Sequence, residues 1–199
     1  MILGLTGAIG SGKSTALAIF QKFAAQCYDA DRLCHEILAG GDPELNRQMQ
    51  MRWGAGVFDT DGIPDRKKIG AVVFQQPGEL AFLTGLLYPG LQQKITQIAG
   101  EARKHPAQLT VLEVPLLFEE GMDCVCDKVA ALWTDRLLRH QRLIGRGLEP
   151  AEITRREAKQ WSAEKKLECA DFALINHGTP EFLEMQIKKL IQMIQESDL

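Results

Sequence analysis

One segment constrains this 199-residue chain more than any other: Gly7-Ala8-Ile9-Gly10-Ser11-Gly12-Lys13-Ser14, preceded by the apolar run Met1 to Thr6. It fits the pattern Gly, four residues, Gly-Lys-Ser/Thr, in which a strand feeds a glycine-rich turn and the turn opens a helix. Glycines let the backbone curl until its N–H groups and the helix N-terminus converge on phosphate oxygens, where side chains would obstruct. In such a loop Lys13 reaches the β- and γ-phosphates of a nucleotide, the Ser14 hydroxyl ligates Mg²⁺, and Thr15 extends the phosphate-binding end of the helix. Taken alone the segment is also a glycine-rich turn carrying a surface lysine; the strand before it and the helical pattern after it favour the phosphate loop. Kinases, GTPases, ATPases and nucleotide-dependent synthetases all use this loop, so the choice among them falls to other residues.

Composition narrows the class. With 45% hydrophobic and 25% charged residues the chain is of ordinary globular make-up, and its length suits a single domain, 1–199, with helical insertions. A net charge of -3 lacks the basic footprint of a nucleic-acid binder, so no such partner is expected. Cys27, Cys34, Cys124, Cys126 and Cys169 are scattered without CxxC spacing, which argues against a zinc site and for the reducing cytoplasm. The opening Met1 to Leu5 has neither the basic start nor the length of a signal sequence and reads as a buried strand. No apolar run reaches the roughly 18 residues of a membrane span, so no membrane partner is expected. A monomer is expected, with an oligomer left open.

Short apolar runs alternating with longer helical patterns predict an α/β fold: a three-layer parallel sheet around a P-loop core. The strands are expected at Met1 to Thr6, Cys27 to Asp29, Leu109 to Val114, Val129 to Trp133 and Phe172 to Ile175. The helix from Lys13 is expected to bury Leu17, Phe20 and Ala24. A last helix is capped by Thr179 with Pro180 in its first turn, and Leu183, Ile187, Leu190, Ile191 and Ile194 form its apolar stripe. Two helical excursions, 43–103 and 136–168, are too long for simple crossovers and are the natural places for substrate contacts.

Carboxylates at strand ends come next. Asp29-Ala30-Asp31 follows the second strand, with His35 one helical turn further on. An aspartate beside the loop can accept the proton of an incoming hydroxyl and orient its oxygen, a role assigned here to Asp31, although a helix cap suits the residue type equally. Glu113 ends the third strand and could hold the Mg²⁺ shell through water, or be an acid at a sheet edge. Arg139, Arg142 and Arg146 fall within about 60° of one another at 3.6 residues per turn. That face could close over a triphosphate, or be a solvated basic helix.

Together these blocks resemble the dephospho-CoA kinases along nearly the whole chain. The resemblance rests on Gly4-Leu5-Thr6 with the loop, Asp29-Ala30-Asp31 with His35, Asp61-Gly62 with Asp65-Arg66, and Val73-Phe74. It continues through Val114-Pro115-Leu116-Leu117-Phe118-Glu119, Arg142 with Arg146, Arg156 with Gln160, Ala170-Asp171 and Ile175-Asn176. It implies MgATP-dependent phosphorylation of the ribose 3′-hydroxyl of dephospho-CoA, with 43–103 as a helical CoA-binding insertion and 136–168 as a lid. It further implies Asp31 as the base and Arg142 and Asn176 as ATP contacts. Acceptor contacts are implied at Asp31, His35, Arg66, Tyr88, Pro115 and Leu116. Departures are Ala8 for a glycine, Glu113 for an aspartate, Tyr88-Pro89 for His-Pro, and one residue fewer after Arg146. The rival readings are a P-loop kinase for a nucleoside monophosphate or another small hydroxylated metabolite, and a GTP switch. The switch is suggested only by Asp59-Thr60-Asp61-Gly62, with no Asn-Lys-x-Asp to accompany it.

Overall fold

The computed structural model describes residues 1–73 and 77–197, so Phe74 of the Val73-Phe74 pair lies outside the described residues. In chain order the elements are β1 (Ile2–Thr6), α1 (Lys13–Lys22), β2 (Gln26–Asp29), α2 (Ala30–Ala39), α3 (Pro43–Trp53), α4 (Arg66–Val73), α5 (Pro77–Lys104) and β3 (Thr110–Glu113). They continue with β4 (Lys128–Trp133), α6 (Arg136–Ile144), α7 (Pro150–Glu157), α8 (Ala163–Cys169), β5 (Phe172–Ile175) and α9 (Pro180–Ser197). The chain divides into two compact units, Met1–Asp29 with Ile98–Leu199 and Ala30–Gln97.

The first unit is built on a parallel sheet in the order β2-β3-β1-β4-β5. All five residues of β1 are buried, which is why its sequence shows no polar alternation. Its side chains still divide by parity. Leu3 and Leu5 join Leu17 and Phe20 of α1 and Leu183, Ile187, Leu190 and Ile194 of α9 in one core. Gly4 and Thr6 face the other side. There a Cβ on Gly4 would stand 2.9 Å from both Cys126 Sγ and Leu117 Cδ2. Thr6 and α8 meet on that side through Lys166, so helices cover both faces of the sheet. Asp171, just ahead of β5, accepts the Val129 N–H at 2.8 Å and pairs with Lys128 at 2.8 Å, tying β5 to β4.

Strand positions agree with the sequence to within a residue, and α9 carries the expected cap, with the Phe182 N–H donating to Thr179 Oγ1 at 3.4 Å. The end of α1 differs. Ala24 is not buried on the helix; α1 stops at Lys22 and Ala24 turns left-handed at φ 62°. The N–H of Ala25 returns to Phe20 O at 3.2 Å and that of Ala24 to Gln21 O at 3.1 Å, the hydrogen-bond pair of a Schellman ending. The chain has to reverse within a few residues to enter β2 at Gln26, and the turn overrides the helical pattern.

The second unit is helical. Its core gathers Leu38, Leu45, Met49, Val57, Phe58, Ile69, Val73 and Leu87. Asp42 caps α3 by accepting the Glu44 N–H at 2.9 Å, and Glu79 on α5 accepts from Arg52 at 2.8 Å and from Trp53 Nε1 at 2.6 Å. No helix among the described residues is long and apolar enough to cross a membrane.

Candidate active site

Residues 7–12 leave the carboxyl end of β1 and wrap the start of α1. Gly7 (φ 155°) has no room for a side chain: a Cβ would stand 2.6 Å from Leu132 O and 2.9 Å from Ser11 Oγ. Gly12 (φ 94°) is the left-handed residue that launches α1, and a Cβ there would run into Asn176 Nδ2. Both glycines are thus required by the close approach of the loop to β4 and to Asn176, in a backbone path of the kind that can turn its N–H groups toward a phosphate. Lys13 is buried and its ammonium donates to Gly7 O at 3.1 Å, bending back over the loop. Ser14 and Thr15 are exposed in the first turn of α1.

Asn176, at the end of β5, and Arg142, on α6, meet at this loop. Asn176 Nδ2 donates to Ser11 O at 2.8 Å, and Arg142 Nη2 donates to Asn176 O at 3.3 Å. Thr134 Oγ1 donates to Ser11 O at 2.9 Å from the end of β4. Two buried polar atoms beside the loop, Ser11 Oγ and Arg142 Nη1, have no hydrogen-bond partner among the described residues. An unsatisfied buried guanidinium nitrogen next to a phosphate-type cradle is the feature expected where an anionic ligand completes the site.

The three arginines expected on one face have separate fates. Arg139 is buried, donating to Glu157 Oε1 at 2.7 Å, to Ile9 O at 3.1 Å and to Thr134 O at 3.2 Å. Arg142 is half-buried at Asn176, and Arg146 is exposed at the end of α6. There Leu148 N–H bonds to Leu143 O and Gly147 N–H to Ile144 O, with Gly147 left-handed at φ 86°. This closure stops the helix just where Arg146 would have extended the row. Burial opposes ionisation of Glu157, but hydrogen bonds from His140, Arg139 and Arg136 outweigh it and hold the carboxyl below its usual range.

Glu113 is buried at the end of β3, in register with Leu5 of β1 and Asp29 of β2. Pro115 and Leu116 follow it. Pro115 O accepts from Thr6 Oγ1 at 3.3 Å and from Lys166 Nζ at 2.6 Å. Lys166 is fully buried and pairs with Glu119 at 2.8 Å, while Glu119 Oε1 also accepts the Trp161 N–H at 2.7 Å. Burial drives the Lys166 pKa below its ordinary value, against the pull of Glu119. The indole of Trp161 stacks on Phe118 with centroids 5.9 Å apart. A cavity of roughly 340 Å³ opens here, bounded by Ala8, Trp133, Arg136, Gln160, Trp161 and Glu164 among others. Sequence reading overlooked Lys166 and Glu157, because both lie in charge-rich helices that read as solvated.

Four sequence candidates belong to the helical unit. Asp31 is exposed in the first turn of α2, two residues after β2 ends, and His35 follows on the same helix face. Arg66 opens α4 and Tyr88 lies within α5. The Asp59-Thr60-Asp61-Gly62 segment is also here. Asp59 Oδ1 accepts the N–H groups of Asp61 and Ile63, each at 2.9 Å, so its carboxylate closes a turn of the helical unit. Among the described residues, no cluster of three or more His, Cys, Asp or Glu could by itself hold a metal ion.

A parallel sheet with the P-loop strand at its centre, the loop at its carboxyl end and helices on both faces defines the P-loop kinase fold. A sequence-family model described as dephospho-CoA kinase matches residues 1–181. The chain is 36% identical over 192 residues to a dephospho-CoA kinase of Enterococcus faecalis, covering 96% of each. To one of Chlorobaculum tepidum it is 31% identical over 198 residues, covering 98% of this chain and 95% of the relative. A solved dephospho-CoA kinase from Campylobacter jejuni superposes with TM-score 0.76 at 26% identity, covering 100% of this chain and 98% of that one. The chain belongs to the dephospho-CoA kinase family.

Proposed function

We propose that this protein transfers the γ-phosphoryl group of ATP to the ribose 3′-hydroxyl of dephospho-CoA, giving coenzyme A and ADP in the cytoplasm. The carrying observation is the glycine-lined loop with the Asn176 amide and the Arg142 guanidinium set against it, in a chain of this family. Backbone amides of residues 7–15, with Lys13, hold the triphosphate; Arg142 and Asn176 complete the nucleotide contacts. Asp31 accepts the proton of the attacking hydroxyl, and His35, Arg66, Tyr88, Pro115 and Leu116 contact the acceptor.

The donors suit Mg²⁺. The Ser14 hydroxyl and the Glu113 carboxylate are oxygen ligands too few for an all-protein cage, as expected for an ion that is held mainly by phosphates and water. When bound, that ion neutralises charge on the transferring group.

A coupled ADP-release assay tests the reading. Dephospho-CoA is expected to be the preferred acceptor; faster turnover of a nucleoside monophosphate would refute the assignment. Asp31→Asn is expected to lower kcat by about 10²–10⁴ while leaving ATP affinity nearly intact. Wild-type turnover in that variant would remove Asp31 from the chemistry.

A further inference from the structure

Besides the two bonds that Ser11 O accepts from Asn176 and Thr134, the phosphate loop is held from outside at Ile9, through both peptide groups that flank its Cα. The Ser11 N–H bonds to Ala8 O at 3.1 Å, so residues 8–11 form a tight turn with Ile9 and Gly10 at its centre and Gly10 at φ 79°. A turn of this kind can flip its central peptide, exchanging the directions of one C=O and one N–H. Here both ends of Ile9 are taken. Its N–H donates to Gln160 Oε1 at 2.9 Å, and its C=O accepts from Arg139 Nη1 at 3.1 Å. Arg139 is itself immobilised by Glu157 at 2.7 Å and by Thr134 O at 3.2 Å, and a Cβ on Gly10 would approach Arg139 O to 3.0 Å. The N–H and C=O of a trans peptide point in opposite directions. Fixing the Ile9 carbonyl on Arg139 therefore also fixes where the Gly10 N–H points.

We propose that Gln160 is a positioning residue for the phosphate loop: it holds the Ala8–Ile9 peptide while Arg139 holds the Ile9–Gly10 peptide, so that the loop amides are preset for a triphosphate. Gln160 follows α7 and precedes α8, in the segment that Trp161 and Lys166 pin to Glu119. The clamp therefore links the excursion 136–168 to the nucleotide cradle through the Gln160 side-chain carbonyl and the Arg139 guanidinium. This inference rests on the kinase reading for the identity of the anion, and on geometry for the rest.

Gln160→Met keeps the length of the side chain and removes the acceptor; Gln160→Glu keeps an acceptor oxygen. Calorimetric titration of the whole protein with a non-hydrolysable ATP analogue needs no acceptor substrate. Gln160→Met is expected to bind the analogue roughly 3- to 10-fold more weakly, the range of one lost hydrogen bond. Its kcat with dephospho-CoA is expected to fall, with the KM for dephospho-CoA held within about twofold. The backbone amide proton of Ile9, followed by NMR in the nucleotide-free protein, should move upfield in Gln160→Met and stay near its wild-type position in Gln160→Glu. Wild-type analogue affinity in a folded Gln160→Met, or an Ile9 amide unmoved by that change, would overturn the clamp. If wild-type protein fails to phosphorylate dephospho-CoA while the binding and NMR pattern holds, the acceptor assignment falls and the clamp stands.

Discussion

Replacing Lys166 with methionine removes the charge sealed beneath the sheet's α8 face. The Lys166 side chain has 0% exposure and the Glu119 side chain 10%, and the ammonium meets Glu119, Pro115 O and Thr6 Oγ1. Methionine fills a similar volume, so the cost comes from stranding the Glu119 carboxylate and from the donor lost to Pro115 O. Removing one partner of a buried pair typically costs about 3–5 kcal/mol, which for a chain of this size is about 6–20 °C in Tm. Glu119 keeps the Trp161 N–H at 2.7 Å, which places the expected loss near the lower end. Lys166→Met/Glu119→Gln should be more stable than Lys166→Met alone, because a neutral amide can still accept from Trp161 without a buried charge. Urea titrations followed by tryptophan fluorescence, which Trp133 and Trp161 report from the same unit, give all corners of the cycle. A Lys166→Met loss under about 1 kcal/mol with an unchanged m-value, or a double variant whose losses simply add, would refute the reasoning.

Two further outcomes follow from local geometry. Ala24→Gly should stabilise the protein by about 0.5–1 kcal/mol, since the left-handed residue that ends α1 is relieved of its Cβ penalty; a lower Tm in the variant would contradict the Schellman ending. Glu157 has a folded pKa held below its unfolded value of about 4.5, so its contribution is present above that pH and lost as pH falls through the folded value. Glu157→Gln should therefore cost stability at neutral pH and show a shallower decline between about pH 5 and 3, read from urea midpoints across that range.

Local signals were enough to specify the sheet and its loop. A run buried on both faces, followed by Gly7 to Ser14, leaves few alternatives, because the glycine positions answer to backbone geometry and need no knowledge of distant partners. The strands, the helix from Lys13 and the Thr179 cap were legible for the same reason. Other features depended on the assembled fold. Lys165 and Lys166 are neighbours in one charged run, yet Lys165 lies on the Trp161 ring at 3.5 Å and Lys166 is sealed against Glu119. Arg139, Arg142 and Arg146 read as one row, but the closure at Gly147 and the pull of Glu157 gave them three different roles. Ala24 fitted a helical stripe and became a turn because β2 had to begin. A charged side chain is identical in sequence whether solvated or sealed; its partner, brought from far along the chain, sets its energy, and only the folded arrangement supplies that partner.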